Sequence, residues 1–253
     1  MKIVVACHKP YWRSEDPLYC YVEAGAANRE THIPQMQPDN EGIHISSRNR
    51  TFCELTALYW AWKNMDADYL GLCHYRRYFA EKRFGGKKSR ILSARKAQAL
   101  MQSTDVILPC KRDYLIETNY SQYIHAHHKQ DLDTVREILN EKYPQYLEAF
   151  DTYMNKTAGH QFNMFLMKRD LLNAYCAWLF DVLFLLEEWL DISGYSETDR
   201  RVFGYVAERL LDTWMDTNHI SYRELPVVYL ERQNWLKKGG RFLMRKWRGE
   251  GKG

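Results

Sequence analysis

Tyr69-Leu-Gly-Leu-Cys-His-Tyr-Arg-Arg-Tyr78 is the stretch that decides how this chain is read. Its first residues form an apolar run of strand type. A His and two adjacent Arg follow, at what should be the strand's C-terminal end. In α/β sheets, ligands bind in the crevice beyond the carboxyl ends of the strands. Guanidinium groups are planar and permanently charged, so they suit bidentate capture of phosphate. His74, Tyr75, Arg76 and Arg77 therefore read as one wall of a site for a phosphorylated ligand. The competing reading is a solvated rim of salt bridges, which these residues alone leave open. Alternation adds a condition. Adjacent strand residues face opposite ways, so both arginines can serve one site only if the strand has ended by Tyr75.

Working upstream, Ser46 to Asn64 carries Phe52, Leu55, Tyr59 and Trp62 at helical spacing, a buried stripe. Ser47 or Asn49 can cap its start. The short turn Met65-Asp-Ala-Asp68 leads into the Tyr69 strand, and helix, turn and strand together form a typical fragment of a layered α/β fold. The same pattern predicts strands at Ile3–Cys7, Tyr69–Tyr75, Val106–Leu108, Phe162–Met167 and Pro226–Tyr229. It predicts helices at Pro17–Ala27, Arg50–Asn64, Ser93–Met101, Leu132–Lys142, Gln145–Met154, Asp170–Leu190 and Glu197–Asp216. The segment Glu81 to Ser89, charged and with Gly85-Gly86, has no apolar period and reads as a loop able to order over a ligand.

The 253 residues suffice for one large domain with a substantial core. We expect a single domain over 1–230, with a nucleotide-binding α/β half at about 1–115 and a helical, acceptor-facing half at about 116–230. A basic tail follows at 231–253. A net charge of +4 is too small for a dedicated nucleic-acid binder but suits an anionic nucleotide or membrane surface. The six cysteines show no zinc-like pairing and read as reduced residues of a cytoplasmic protein. Met1-Lys-Ile-Val-Val enters a strand directly, so no leader is expected. The apolar stretch Tyr175 to Leu186 is too short to span a bilayer and reads as a buried helix. Trp235 to Arg248 interleaves bases with large apolar residues, a pattern that can lie on an anionic membrane surface.

Several segments carry chemistry on their own terms. His8 and Lys9 follow the first strand at its carboxyl end, where a nucleotide or diphosphate would lie. His125-Ala-His127-His128 admits two readings, a metal site completed by Asp131 or hydrogen bonding to a substrate. Asp66-Ala-Asp68 spells an Asp-x-Asp pair but precedes its strand, so it reads as a turn. Asn163 lies in an apolar strand and must find a partner, a sugar hydroxyl being one option. For a catalytic base the candidates are Asp199, near a helix N-terminus that favours its ionised form, together with Glu197, Glu208 and Glu54.

The pairing of Cys53-Glu-Leu-Thr-Ala-Leu-Tyr-Trp-Ala-Trp-Lys-Asn64 with Gly71-Leu-Cys-His-Tyr-Arg-Arg-Tyr-Phe79 resembles a bacterial family, the domain of unknown function 4422, found in capsular and exopolysaccharide glycosyltransferases. Val4 to Tyr11, Tyr123 to His128, Tyr143 to Tyr146, His160 to Phe165 and Arg201 to Leu210 continue the resemblance in order, over roughly residues 3 to 230. The chain departs from the pattern at His44-Ile-Ser46, where the family tends to have Asn. The resemblance implies a glycosyltransferase A-like sheet with a helical C-terminal half. It implies transfer of a hexosyl unit, galactofuranose being the first to test, from a uridine diphosphate (UDP) donor to a lipid-linked saccharide. The enzyme would work at the inner face of the cell membrane, and inversion is the expected stereochemistry.

On that basis the donor would be held by His8, Lys9, Asn64, His74, Tyr75, Arg76 and Arg77, and the acceptor by His125, His127, Asn163 and Arg201. Glu208, with Asp199 behind it, would be the base. No residue is assigned to a metal, and Mn2+ or Mg2+ is a cofactor to test. Arg76 and Arg77 could carry the charge of the leaving diphosphate themselves. Two alternatives stand beside this: a His-cluster metal phosphohydrolase, and a non-catalytic module binding phosphoglycan or anionic lipid.

Overall fold

The computed structural model describes residues 1–231. The expected membrane-binding segment Trp235 to Arg248 lies outside the described residues. The elements run β1 (Lys2–Cys7), β2 (Tyr19–Glu23), β3 (Gln37–Pro38), α1 (Asn49–Phe52), α2 (Leu55–Asn64), β4 (Tyr69–His74), β5 (Arg77–Phe79) and α3 (Ala94–Leu100). They continue with β6 (Val106–Pro109), β7 (Arg112–Asp113), α4 (Asn119–Ile124), α5 (Lys129–Lys142), α6 (Leu147–Asn155), β8 (Ala158–Gly159), β9 (Phe165–Lys168) and α7 (Arg169–Trp189). The last are α8 (Val202–Thr217), β10 (Arg223–Leu225) and β11 (Val227–Tyr229).

One mixed sheet organises the molecule, in the order β10-β6-β9-β4-β1-β2-β3. β4, β1, β2 and β3 run parallel, β9 runs against both β4 and β6, and β5 bridges β4 to β11. Strand alternation splits the core in two. Val4, Ala6, Leu70 and Leu72 face a helical layer to which α2, α5, α6, α7 and α8 contribute. Ile3, Val5, Cys7 and Cys73 face the other side, which α3 covers with Ala97 and Leu100. Gly71 is required by close packing, because a Cβ there would stand 2.4 Å from the Phe165 carbonyl oxygen of β9. β9 comes from the back half of the chain yet sits between β4 and β6, so the two halves complete one sheet.

Three expected elements take another form. Pro17–Ala27, expected as a helix, contains β2, because Tyr19–Glu23 pairs in parallel with β1 at the sheet. The helix expected over Arg50–Asn64 breaks at Cys53, which holds φ 52° and ψ −127° between α1 and α2. The strand expected from Phe162 starts at Phe165, because Phe162 and Asn163 take left-handed φ values of 77° and 51°. The Glu81–Ser89 loop is closed at its base, where Glu81 N–H donates to the Arg90 carbonyl, and the Lys87 ammonium donates to the carbonyls of Leu230 and Glu231. Among the described residues, no helix is long and apolar enough to cross a membrane.

Candidate active site

A cavity of about 830 Å3 opens beyond the carboxyl ends of β1 and β4. Its floor is Ala6, Cys7 and His8 at the end of β1, with His74 to Arg77 at the end of β4. β4 stops at His74, which pairs with Arg77 across a two-residue turn of Tyr75 and Arg76. The alternation condition is met because the chain turns between the two arginines, and both line the cavity. Arg76 lies over the Tyr75 ring and pairs with Glu231 at 2.9 Å, and Arg77 lies over the Phe162 ring.

The opposite wall comes from the α1–α2 break and from the first turns of α8. Gly204, Tyr205 and Glu208 recur at helical spacing on one face of α8, and Arg201 joins them from the turn just before it. In all, Arg50, Arg76, Arg77, Arg112, Arg201 and Arg209 face Glu54, Glu197 and Glu208, an excess of positive charge. Such a cavity selects an anion, and a low-dielectric wall strengthens the attraction.

Glu208 is the unusual carboxylate. Its side chain is 20 % exposed, at the cavity wall. Burial pushes its pKa up from 4.5 to about 7, and the charge of Glu54 pushes the same way against Arg209 and Arg77. A general base is most effective with a pKa near the working pH. Burial and the charges of Arg76, Lys9, Arg29 and Arg201 push the His8 pKa below its ordinary value, and burial does the same for His74. Both imidazoles are therefore neutral at pH 7. His8 Nε2 meets the Tyr75 hydroxyl at 3.0 Å, and His74 Nε2 meets the Phe162 carbonyl.

A model of the domain of unknown function DUF4422 matches residues 2–219. The chain belongs to that family. Among solved structures, the apo structure of WbbM, titled a bifunctional glycosyltransferase, is similar to it with a TM-score of 0.85 at 29 % identity. The match covers 91 % of this chain and 45 % of that one, so the chain spans less than half the length of that protein. A search of curated proteins gives no match. The fold is α/β and glycosyltransferase A-like, as the sequence led us to expect.

Within this DUF4422 domain, His8, His74, Tyr75, Arg76, Arg77, His127, Arg201 and Glu208 all line one cavity. Lys9 stands outside its wall, 5.9 Å above the Tyr75 ring. Other expected site residues do not reach it. Asn64 ties down a loop instead: its amide nitrogen donates to the Ile43 and Trp60 carbonyls, and its oxygen accepts from Ile43 N–H. Asn163 is buried behind the wall, donating to Glu54 Oε1 at 2.8 Å and to the Gly204 carbonyl at 3.1 Å. Asp199 is buried 3.6 Å from His127 and from His128, and accepts a hydrogen bond from Ser196. Its carboxylate is engaged there and is not among the residues that line the cavity.

The histidine cluster splits the same way. His125 pairs with Glu117, while Asp131 accepts from the hydroxyls of Tyr123 and Tyr195. Among the described residues, no group of three His, Cys, Asp or Glu side chains is arranged to hold a metal ion. Asp66 and Asp68 sit before β4, at the far end of the strand from the cavity.

Sequence reasoning missed Arg50, Arg112, Gln161, Tyr205 and Arg209 as cavity residues. Tyr205 was within reach, since it follows Arg201 by one helical turn. Arg112 sits on the two-residue strand β7 and left no local signal. Arg209 is buried, donating to Gln122 and Gln161, and stands 3.6 Å from Glu208.

Proposed function

We propose that this domain is a glycosyltransferase that moves a hexosyl unit from a UDP-sugar to a lipid-linked saccharide in the assembly of a surface polysaccharide. The observation that carries the reading is the arginine-rich cavity at the carboxyl ends of β1 and β4, with one proton-accepting carboxylate in its far wall. The similarity to WbbM supports the transferase class. In this reading the donor diphosphate lies against Arg76 and Arg77. Glu208 takes the proton of the acceptor hydroxyl as its oxygen attacks the anomeric carbon. The bond from that carbon to the diphosphate oxygen breaks, and UDP leaves with its charge neutralised by fixed guanidinium groups. Attack from the face opposite the leaving group inverts the anomeric centre. Galactofuranose is the first donor sugar to test, and the work would be done at the inner face of the membrane.

Isothermal titration of UDP into the purified protein, with and without Mn2+, tests this. The expected result is binding that persists without metal and is lost in Arg76→Ala/Arg77→Ala. Absence of UDP binding under both conditions refutes the uridine donor. Binding that strictly requires Mn2+ refutes charge neutralisation by arginine.

A further inference from the structure

The segment Gln161-Phe162-Asn163 does more than complete the wall. Phe162 and Asn163 are consecutive non-glycine residues in the left-handed region, a conformation that costs on the order of 1–3 kcal/mol per residue and persists only when its surroundings enforce it. The chain is anchored two residues before Phe162. His160 is fully buried, its N–H and ring Nδ1 engage Asp212 of α8, and its Nε2 meets Glu224 of β10 at 3.0 Å. The kink that follows aims three groups into the cavity wall. The Phe162 carbonyl faces His74 Nε2, and its ring underlies Arg77 at 4.5 Å. The Asn163 amide donates to Glu54. With its amide turned so that nitrogen meets acceptors, Gln161 donates to Glu208 Oε2 at 3.1 Å.

Resting on the transferase reading, we propose that Asn163 is a positioning residue: its amide fixes Glu54 beside the base Glu208, and the left-handed kink at Phe162 and Asn163 sets the spacing of the two carboxylates. Asn163 itself is not among the residues that line the cavity. Asparagine suits the place twice, since it is among the non-glycine residues that best tolerate left-handed φ and brings an N–H donor to the Glu54 carboxyl. Both carboxylates line the same cavity, and the charge of Glu54 is one of the causes that push the Glu208 pKa up. Releasing Glu54 from the amide changes the charge near Glu208, and with it the pH at which Glu208 loses its proton.

Asn163→Gly separates the backbone role from the amide role, because glycine keeps the left-handed backbone and drops the amide. The first readout needs no substrate: 13C NMR titration of the Glu54 and Glu208 side-chain carboxyls. The second is the rate of UDP release from UDP-galactose, and the third is UDP binding by calorimetry. The expected result is a variant with unchanged UDP affinity, a Glu208 titration displaced from its wild-type position, and UDP release slowed by about 10²-fold, as for a small misplacement of reacting groups. Unchanged titration or an unchanged release rate overturns the proposal. If the glycine variant fails to fold, Asn163→Asp, isosteric and tolerant of the same φ, must move the Glu208 titration upward by adding a negative charge near it, and no move overturns the proposal. Loss of UDP binding by the wild type would strike the transferase reading while leaving the titration result standing.

Discussion

Replacing Glu208 by glutamine is expected to strengthen the fold at alkaline pH while removing the base. In the folded protein burial holds the Glu208 pKa at about 7, against an ordinary value of 4.5. Below about pH 4.5 the carboxyl is protonated in both the folded and unfolded states, so it adds no pH-dependent difference. Between pH 4.5 and 7 the unfolded chain gives up its proton and the folded chain keeps it. Stability therefore falls as pH rises through that window, and the loss is complete above the folded pKa. A displacement of about 2.5 pH units, at about 1.36 kcal/mol per unit, corresponds to about 3 kcal/mol at pH 8. Glutamine does not ionise, so Glu208→Gln should be more stable than wild type by up to that amount at pH 8, and by nothing from this source at pH 4. Thermal unfolding should show the variant melting roughly 6–12 °C higher at pH 8. Activity should move the other way, with kcat lower by about 10²–10⁴-fold. The reasoning is refuted if the stability difference is the same at pH 4.5 and pH 8, or if wild type is the more stable at pH 8.

Four further outcomes follow from the same geometry. Arg76→Ala and Arg77→Ala, made singly, should each weaken UDP binding by about tenfold or more, since a charge-assisted hydrogen bond is worth about 1.5–3 kcal/mol; calorimetry at low and high salt would read it. Glu231→Gln releases Arg76 from its half-exposed ion pair, and UDP should then bind up to about fivefold tighter, in keeping with about 1 kcal/mol for such pairs. Cys53→Gly relieves a non-glycine residue held at φ 52° and ψ −127°; urea unfolding should show a gain of about 1 kcal/mol, strain relief less the entropy of glycine. His160→Ala leaves the Asp212 carboxylate buried without its ring partner, and should lower unfolding stability by about 3 kcal/mol or more.

Much of the cavity was legible because its decisive elements are local. The strand-ending His74 to Arg77 run, the His8 position and the Arg201–Glu208 helical face are each visible within ten residues of sequence. The same reasoning placed Asn64 and Asp199 in the site, where the fold uses them otherwise. Asn64 closes a loop through Ile43, and Asp199 is drawn to His127 and His128. Those partners lie far off along the chain, and no local pattern names them.

By itself the sequence determined the alternation that gives β1 and β4 two buried faces, the apolar stripes of α2, α7 and α8, and the placement of two guanidinium groups where a strand ends. These follow from periods of 2 and 3.6 residues and from residue chemistry. The tertiary structure alone decided that Tyr19–Glu23 is a strand, because that depends on β1 being free to pair with it. It also decided the backbone at Cys53, Phe162 and Asn163. Those conformations are unfavourable locally and are held by contacts such as Arg201 to Cys53 and Asn163 to Glu54, between residues more than a hundred positions apart. A left-handed turn without glycine has no sequence signature, because the energy that holds it comes from elsewhere in the fold.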